Sequence, residues 1–235
     1  YDVIRQRKLN PFGNNKKWLI MRGFFGSVAL LMFFYTLQNM PLASAVTIQY
    51  LSPIFTAFFA IFILGEKMRS WQWAFYAISF LGVVVMKQSD ARIELPVLAM
   101  GIGAAALAGF AYNCVRKLKD YDEPIVVIFY FPLVTLPLIT PWTVTHWVAP
   151  AGWEEWVLLL VIGLLTQFAQ FFMTKSYQAE RAGKVANIGY MGTVYALIFG
   201  YIFFGEIFGW QSIVGMALVF VGIMAGVLSA AFVEA

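Results

Sequence analysis

Residues 42–66 read LASAVTIQYLSPIFTAFFAIFILGE, and residues 182–206, a further 140 positions along, read AGKVANIGYMGTVYALIFGYIFFGE. No side chain from Leu42 to Leu64 is charged. Such a run is long enough to cross a hydrocarbon core about 30 Å thick, which takes about 20 apolar residues as helix. The two stretches share Ile48 with Ile188, Tyr50 with Tyr190, Phe59 with Phe199, and the closing Gly65-Glu66 with Gly205-Glu206. Apolar helices match one another easily by chance, so the identities at polar residues and at the Gly-Glu ending carry the weight.

Outward from these stretches the same offset of 140 needs no gap. It pairs Leu19 with Leu159, Gly23 with Gly163, Ala29 with Ala169, Gln38 with Gln178, Ala77 with Ala217, Phe80 with Phe220 and Gly82 with Gly222. Apolar runs of membrane length recur eight times: 18–37, 42–64, 71–86, 96–115, 125–145, 156–174, 185–204 and 210–232. The chain is 61% hydrophobic and 12% charged, against about 25% charged in a soluble domain, and its mean hydropathy is +0.77. No ten-residue alternation of the barrel kind is visible, and backbone groups in lipid must pair within helices or closed barrels. These features predict an all-α integral membrane protein, a polytopic helix bundle. Tryptophans near the span ends (Trp18, Trp71, Trp142, Trp153, Trp156, Trp210) fit membrane interfaces.

Counting crossings from the first loop puts every one of the 16 Lys and Arg residues on one side except Lys87 and Arg92. Basic loops are cytoplasmic, so the segment before Trp18 and the C-terminal end are both expected there. Net charge of +4 is therefore spread through short loops and forms no continuous basic patch of the kind nucleic acid requires. Spans one, two and three match spans six, seven and eight, five crossings later, and an odd number of crossings reverses direction. The repeat is thus inverted, a recurring transporter design in which exchanging the conformations of two halves interconverts inward-open and outward-open states. Residues 1–95 are assigned to the first repeat and 96–235 to the second. The counterparts of spans four and five would lie before Tyr1, so a ten-helix parent protein is expected, with eight helices in this chain.

The stretch Tyr35–Ala45 (YTLQNMPLASA), then Leu51-Ser52-Pro53-Ile54-Phe55, and Leu64-Gly65-Glu66 with its second copy Phe204-Gly205-Glu206, resemble the drug/metabolite transporter superfamily, EamA-like branch. The resemblance covers essentially the whole chain. It implies ten helices in two five-helix halves and transport of a small metabolite, without naming a substrate. The second half departs from it where Gly192-Thr193 stand in place of Ser52-Pro53.

Helices broken at matching positions in both repeats point to a midplane site, and Pro53 and Gly192 fall one residue apart after the shift. One turn earlier lie Thr47 and Tyr50 in the first copy and Asn187 and Tyr190 in the second, each pair on one helix face. These four are the primary candidates for substrate binding; the alternative is that they only hydrogen-bond between helices. Gln167 and Gln170, with Thr174, form a polar stripe suited to a hydrated cavity, and Tyr112 and Asn113 complete the candidate set. Tyr35, Gln38, Gln49 and Tyr195 rank lower. Glu66 and Glu206 are read as structural, their charge met by interfacial water or a neighbouring helix N-terminus. Arg22 and Lys175 are expected to snorkel to the interface, and Pro132, Pro137 and Pro141 to bend or break the fifth span.

A single Cys114 and a single His146 leave no Cys/His metal set. No G-x-x-x-x-G-K-[ST] loop exists for nucleotide hydrolysis. With no nucleophile and base inside the bundle, an intramembrane enzyme is the weakest reading, and no catalytic residue, metal or cofactor is assigned. The expectation is a secondary transporter of a small organic solute in a bacterial inner membrane. Its partners are solute and lipid bilayer, not nucleic acid; its oligomeric state is open. A channel or non-transporting membrane scaffold is the rival.

Overall fold

A computed structural model describes residues 10, 12–68, 70–179 and 191–231. Its helices, in chain order, are α1 (Lys16–Asn39), α2 (Leu42–Gln49), α3 (Ser52–Ile63), α4 (Ser70–Ser89), α5 (Leu95–Leu118), α6 (Pro124–Thr145), α7 (Trp153–Ala179), α8 (Met191–Phe204) and α9 (Trp210–Ala231). Each apolar run read from the sequence is helical where it is described, apart from turns at Tyr50, Leu51 and Leu64 in the second, and among the described residues there is no strand. Lys16–Asn39, Leu42–Ile63, Leu95–Leu118, Pro124–Thr145 and Trp153–Ala179 are long and apolar enough to cross a membrane, and Gly192–Phe204 and Trp210–Gly226 are shorter apolar helices. The start of the seventh expected span, from Val185, lies outside the described residues.

The second span is two helices. Tyr50 N–H reaches both the Val46 and Thr47 carbonyls at 3.1 and 3.2 Å, and Leu51 N–H takes Ile48 O at 3.0 Å. This tightening to i→i−3 bonds ends α2. Pro53, at the first turn of α3, has no N–H to extend the ladder. By contrast α6 runs unbroken through Pro132, Pro137 and Pro141. These prolines do not interrupt the helix, because its other amides keep their i→i−4 partners and each proline removes only one bond.

The Gly-Glu ending is a helix stop made twice. Gly65 has φ +70° and Gly205 φ +61°, the left-handed region that an L side chain enters at a cost of about 1–2 kcal/mol. That turn swings the next amide back, so that Glu66 N–H bonds Ala60 O at 3.2 Å and Glu206 N–H bonds Gly200 O at 3.0 Å. No heavy atom lies within 4 Å of a Cβ built on Gly65, so backbone strain is the whole expected effect of Gly65→Ala. The substitution is expected to cost about 1–2 kcal/mol, read as a lowered unfolding midpoint in detergent; an unchanged midpoint would disprove this account of the motif.

The described chain forms two compact units, residues 1–27 with 114–180 and residues 28–113 with 181–235. Each therefore draws on both sequence repeats, and α1 and α5 each contribute residues to both. The second unit holds a core of Met40, Ile48, Leu51, Ile54, Val83, Met86, Ile93, Met216, Val219 and Ile223. In the first unit Leu19, Leu118, Val126, Val127 and Tyr130 are buried.

Within the second unit α4 packs on α9, its repeat partner, through glycine. A Cβ on Gly82 would lie 2.5 Å from Gly215 O and 2.7 Å from Val219 N. A Cβ on Gly222 would lie 2.6 Å from Phe75 O and 2.8 Å from Ser79 N. Adding 140 to Gly82, Phe75 and Ser79 gives Gly222, Gly215 and Val219, so each contact has its reciprocal. Ser79 Oγ donates to the carbonyl of its own counterpart, Val219, at 3.3 Å. Numbering rises along one helix as it falls along the other, so the pair is antiparallel, and a twofold axis relating antiparallel helices lies perpendicular to them. Small residues permit this backbone approach, which drives association where lipid removes the hydrophobic incentive.

Candidate functional site

The break between α2 and α3 brings its side chains against α8 and α5. The Tyr50 hydroxyl rests on Gly192, where any Cβ would overlap it. Tyr50 also lies within electrostatic reach of Tyr112. Thr47 is buried and its hydroxyl donates to Ala43 O at 2.7 Å. Asn187 and Tyr190 lie outside the described residues.

Asn113 is fully buried. Its Nδ2 donates to Thr56 O at 2.8 Å and Gly109 O at 3.0 Å, tying α5 to α3 where Gly109 lets the two helices approach. These bonds are those of an interhelical tie. Less prominent in the sequence are the Ser44 hydroxyl and the Gln49 amide oxygen, both buried without a hydrogen-bond partner among the described residues. They lie on the helix that leads into the same break and add polar capacity there; Gln49 is one of the lower-ranking candidates read from the sequence, whereas the sequence signal for Ser44 is its place in α2, within one turn of Thr47. Tyr35, Gln38 and Tyr195 are exposed.

At one end of this unit, Glu206 Oε1 accepts the Leu42 N–H at 2.7 Å. A carboxylate at the start of α2 meets the unsatisfied amides and the positive end of the helix dipole, as expected of a structural glutamate. Arg92 Nε and Nη2 hold both oxygens of Asp90 at 2.9 and 2.7 Å, and Nη2 also bonds Ile207 O at 3.2 Å. The Arg92 guanidinium holds the Asp90 carboxyl below the usual carboxylate range.

The first unit carries the other candidates. Gln167 is exposed, whereas Gln170 accepts from Arg22 Nη2 at 2.9 Å, and Thr174 is fully buried. Lys175 is exposed, as a snorkelling lysine would be. Arg22 does not snorkel: it is 3% exposed, its guanidinium 4.2 Å above the Phe131 ring. The ring face and the Gln170 amide together hold it in, which a reading of α1 alone could not anticipate. Among the described residues no group of three or more His, Cys, Asp or Glu side chains could hold a metal ion.

The model of the EamA-like transporter family matches residues 3–87 and 95–227. The pseudopaline exporter CntI of Pseudomonas aeruginosa (strain UCBPP-PA14) is 29% identical over 226 residues, 96% of this chain and 80% of that protein. Solute carrier family 35 member G1 of Mus musculus is 31% identical over 229 residues, 91% of this chain and 62% of that one. The S-adenosylmethionine uptake transporter of Rickettsia prowazekii is 26% identical over 187 residues, 80% of this chain and 63% of that protein. A crystal structure of a protein 18% identical matches all of the chain and 84% of its own with a TM-score of 0.69, a likeness of fold.

Proposed function

The chain belongs to the EamA-like transporter family, and from that premise we propose that it is a secondary transporter of a small organic solute, working by alternating access of two inverted repeats, residues 1–95 and 96–235. It is a multi-pass membrane protein. The observation that carries the reading is the reciprocal contact of α4 with α9. A twofold axis perpendicular to the helices relates copies of opposite orientation, so a conformation adopted by one copy has a mirror role on the other membrane face. Two of the relatives are named for export and for uptake of small organic molecules, which supports a solute of that class moving through such a scaffold. In this reading the protein sits in a bacterial inner membrane, and the asymmetry of basic residues supports cytoplasmic ends for the parent protein.

In this reading Thr47, Tyr50, Asn187 and Tyr190 meet the solute near the axis, with Tyr112 and Asn113 beside them and Gln167 and Gln170 along the pathway. The test is counterflow: full-length protein in liposomes loaded with a candidate solute should accumulate labelled solute against its gradient and saturate. A channel would equilibrate the label without accumulation. Tyr190→Ala and Asn187→Ala are each expected to abolish counterflow while leaving the yield of folded protein unchanged. Undiminished counterflow in both would remove this face from the site.

A further inference from the structure

We infer that one face of α7, formed by Ile162, Gly163, Thr166 and Gln167, is a docking surface for a further apolar transmembrane helix of the same protein, one that carries the pattern of α6 and precedes Tyr1 in sequence. This rests on the inverted repeat of the reading above. A twofold axis makes a contact between helices of the two repeats recur between their mates. The pair α4 and α9 obeys it: the approach of Gly82 to Gly215 and Val219 has its image in that of Gly222 to Phe75 and Ser79. The contact of α1 with α6 has no such image among the described residues. A Cβ on Gly23 would lie 2.7 Å from Val134 Cβ, and one on Gly26 3.2 Å from Phe131 Cε2. The Arg22 guanidinium stands 4.2 Å above the Phe131 ring, and the Ser27 and Thr135 hydroxyls are 2.5 Å apart.

Adding 140 to Arg22, Gly23, Gly26 and Ser27 gives Ile162, Gly163, Thr166 and Gln167, which share one face of α7 by their helical spacing. Arg22, Gly23 and Ser27 are buried, whereas Ile162, Gly163 and Gln167 are exposed. Among the described residues no heavy atom lies within 4 Å of a Cβ on Gly163. In the most apolar stretch of α7 6% of residues are buried, against 33% in that of α1. Lipid alone suits this face poorly: Thr166 and Gln167 are polar in mid-span, where such groups seek the bundle interior, and Gly163 offers the close backbone approach that draws helices together in a bilayer. The images of Phe131, Val134 and Thr135, 140 positions earlier, answer each feature. The docked helix sets a branched side chain on Gly163, a large apolar one over Ile162 and Thr166, and a polar one against Gln167. Gln167 is then held in the wall of the pathway instead of facing lipid. Within residues 1–235 Gly163→Leu stays neutral; with that helix in place it should lower the unfolding midpoint.

The experiment is oxygen-accessibility electron paramagnetic resonance on the full-length protein in nanodiscs, with nitroxides placed singly at Leu164 and Gln167 in a Cys114→Ser background. Leu164 is the mate of Phe24, which is exposed on α1, so its label should remain against lipid and relax with oxygen, which concentrates in hydrocarbon. The label at Gln167 should lose that response. Because a nitroxide could push the docked helix aside, the deciding measurement pairs Gln167→Cys with one cysteine moved residue by residue along the apolar segment before Tyr1, with copper-phenanthroline and air as oxidant. A disulfide needs Cα atoms within about 7 Å, so cross-linking should occur within one chain and peak at the mate of Thr135. Absence of that cross-link overturns the inference. So does a Gln167→Cys cross-link between two chains, which would make a second copy the occupant, or an intact gene that encodes no apolar helix before Tyr1. Counterflow separates this failure from that of the premise: saturable counterflow without the cross-link leaves the transporter standing and removes the surface, whereas the cross-link without counterflow of any solute keeps the surface and removes the transporter reading.

Discussion

Gly82→Leu is expected to destabilise the protein by about 3 kcal/mol or more, beyond the ordinary cost of overpacking. The atoms a Cβ would strike are Gly215 O and Val219 N, at 2.5 and 2.7 Å. Both belong to backbone, so no rotamer change relieves the overlap and α4 and α9 must part. Gly222→Leu should cost a similar amount, since Phe75 O and Ser79 N stand at 2.6 and 2.8 Å from its Cβ. Once either substitution has separated the helices, the other meets less resistance, so the double variant should lose clearly less than the sum of the two. Gly163→Leu is the control: nothing lies within 4 Å of its Cβ, and its effect should stay within about 0.5 kcal/mol. Unfolding midpoints and the fraction of monodisperse protein in detergent measure all four. Equal tolerance at Gly82 and Gly163 would mean that α4 and α9 do not make this contact.

Much of this contact is legible in the sequence, because the offset of 140 pairs Gly82 with Gly222 and repeat mates must meet on a twofold axis if they meet at all. The Gly-Glu ending is legible as a motif, and its geometry explains why both residues recur. Glycine supplies the positive φ, and the following amide closes back on the helix. The helix break at Tyr50-Leu51 follows from Pro53, because a missing N–H is a property of one residue. Side-chain partners on distant helices are harder to read. Arg22 has the sequence position of a snorkelling residue near a span end; its burial depends on Phe131 and Gln170, which lie more than a hundred positions later in sequence. Asn113 reads as a site residue because a polar amide in a span has no local explanation, yet its bonds go to the Thr56 and Gly109 carbonyls. Gln167 and Gln170 are one turn apart on α7, but only Gln170 meets a partner from α1, and spacing alone cannot distinguish them.

Gly192→Ala is expected to reduce counterflow at least about tenfold while costing about 1 kcal/mol of stability, the low end of the overpacking range. Its Cβ would fall on the Tyr50 hydroxyl, with Tyr50 Cζ at 3.1 Å and Cε2 at 3.5 Å. Unlike the atoms around Gly82, the colliding group is the far end of a side chain, so the protein can yield by swinging the ring and not by separating helices. The fold survives and the hydroxyl moves, which separates a site effect from a packing effect. Tyr50→Phe removes only the oxygen: it should weaken solute binding if that hydroxyl contacts solute, and it should also make room for the methyl group that Gly192→Ala adds. The stability loss from Gly192→Ala should therefore shrink in the Tyr50→Phe background, a coupling that a double-mutant cycle reads directly. Transport should not return with it, because the hydroxyl is displaced in one single variant and absent in the other. Restored counterflow in the double variant would show that Tyr50 acts only by its bulk against α8, and the solute would then have to be bound by other groups on the break.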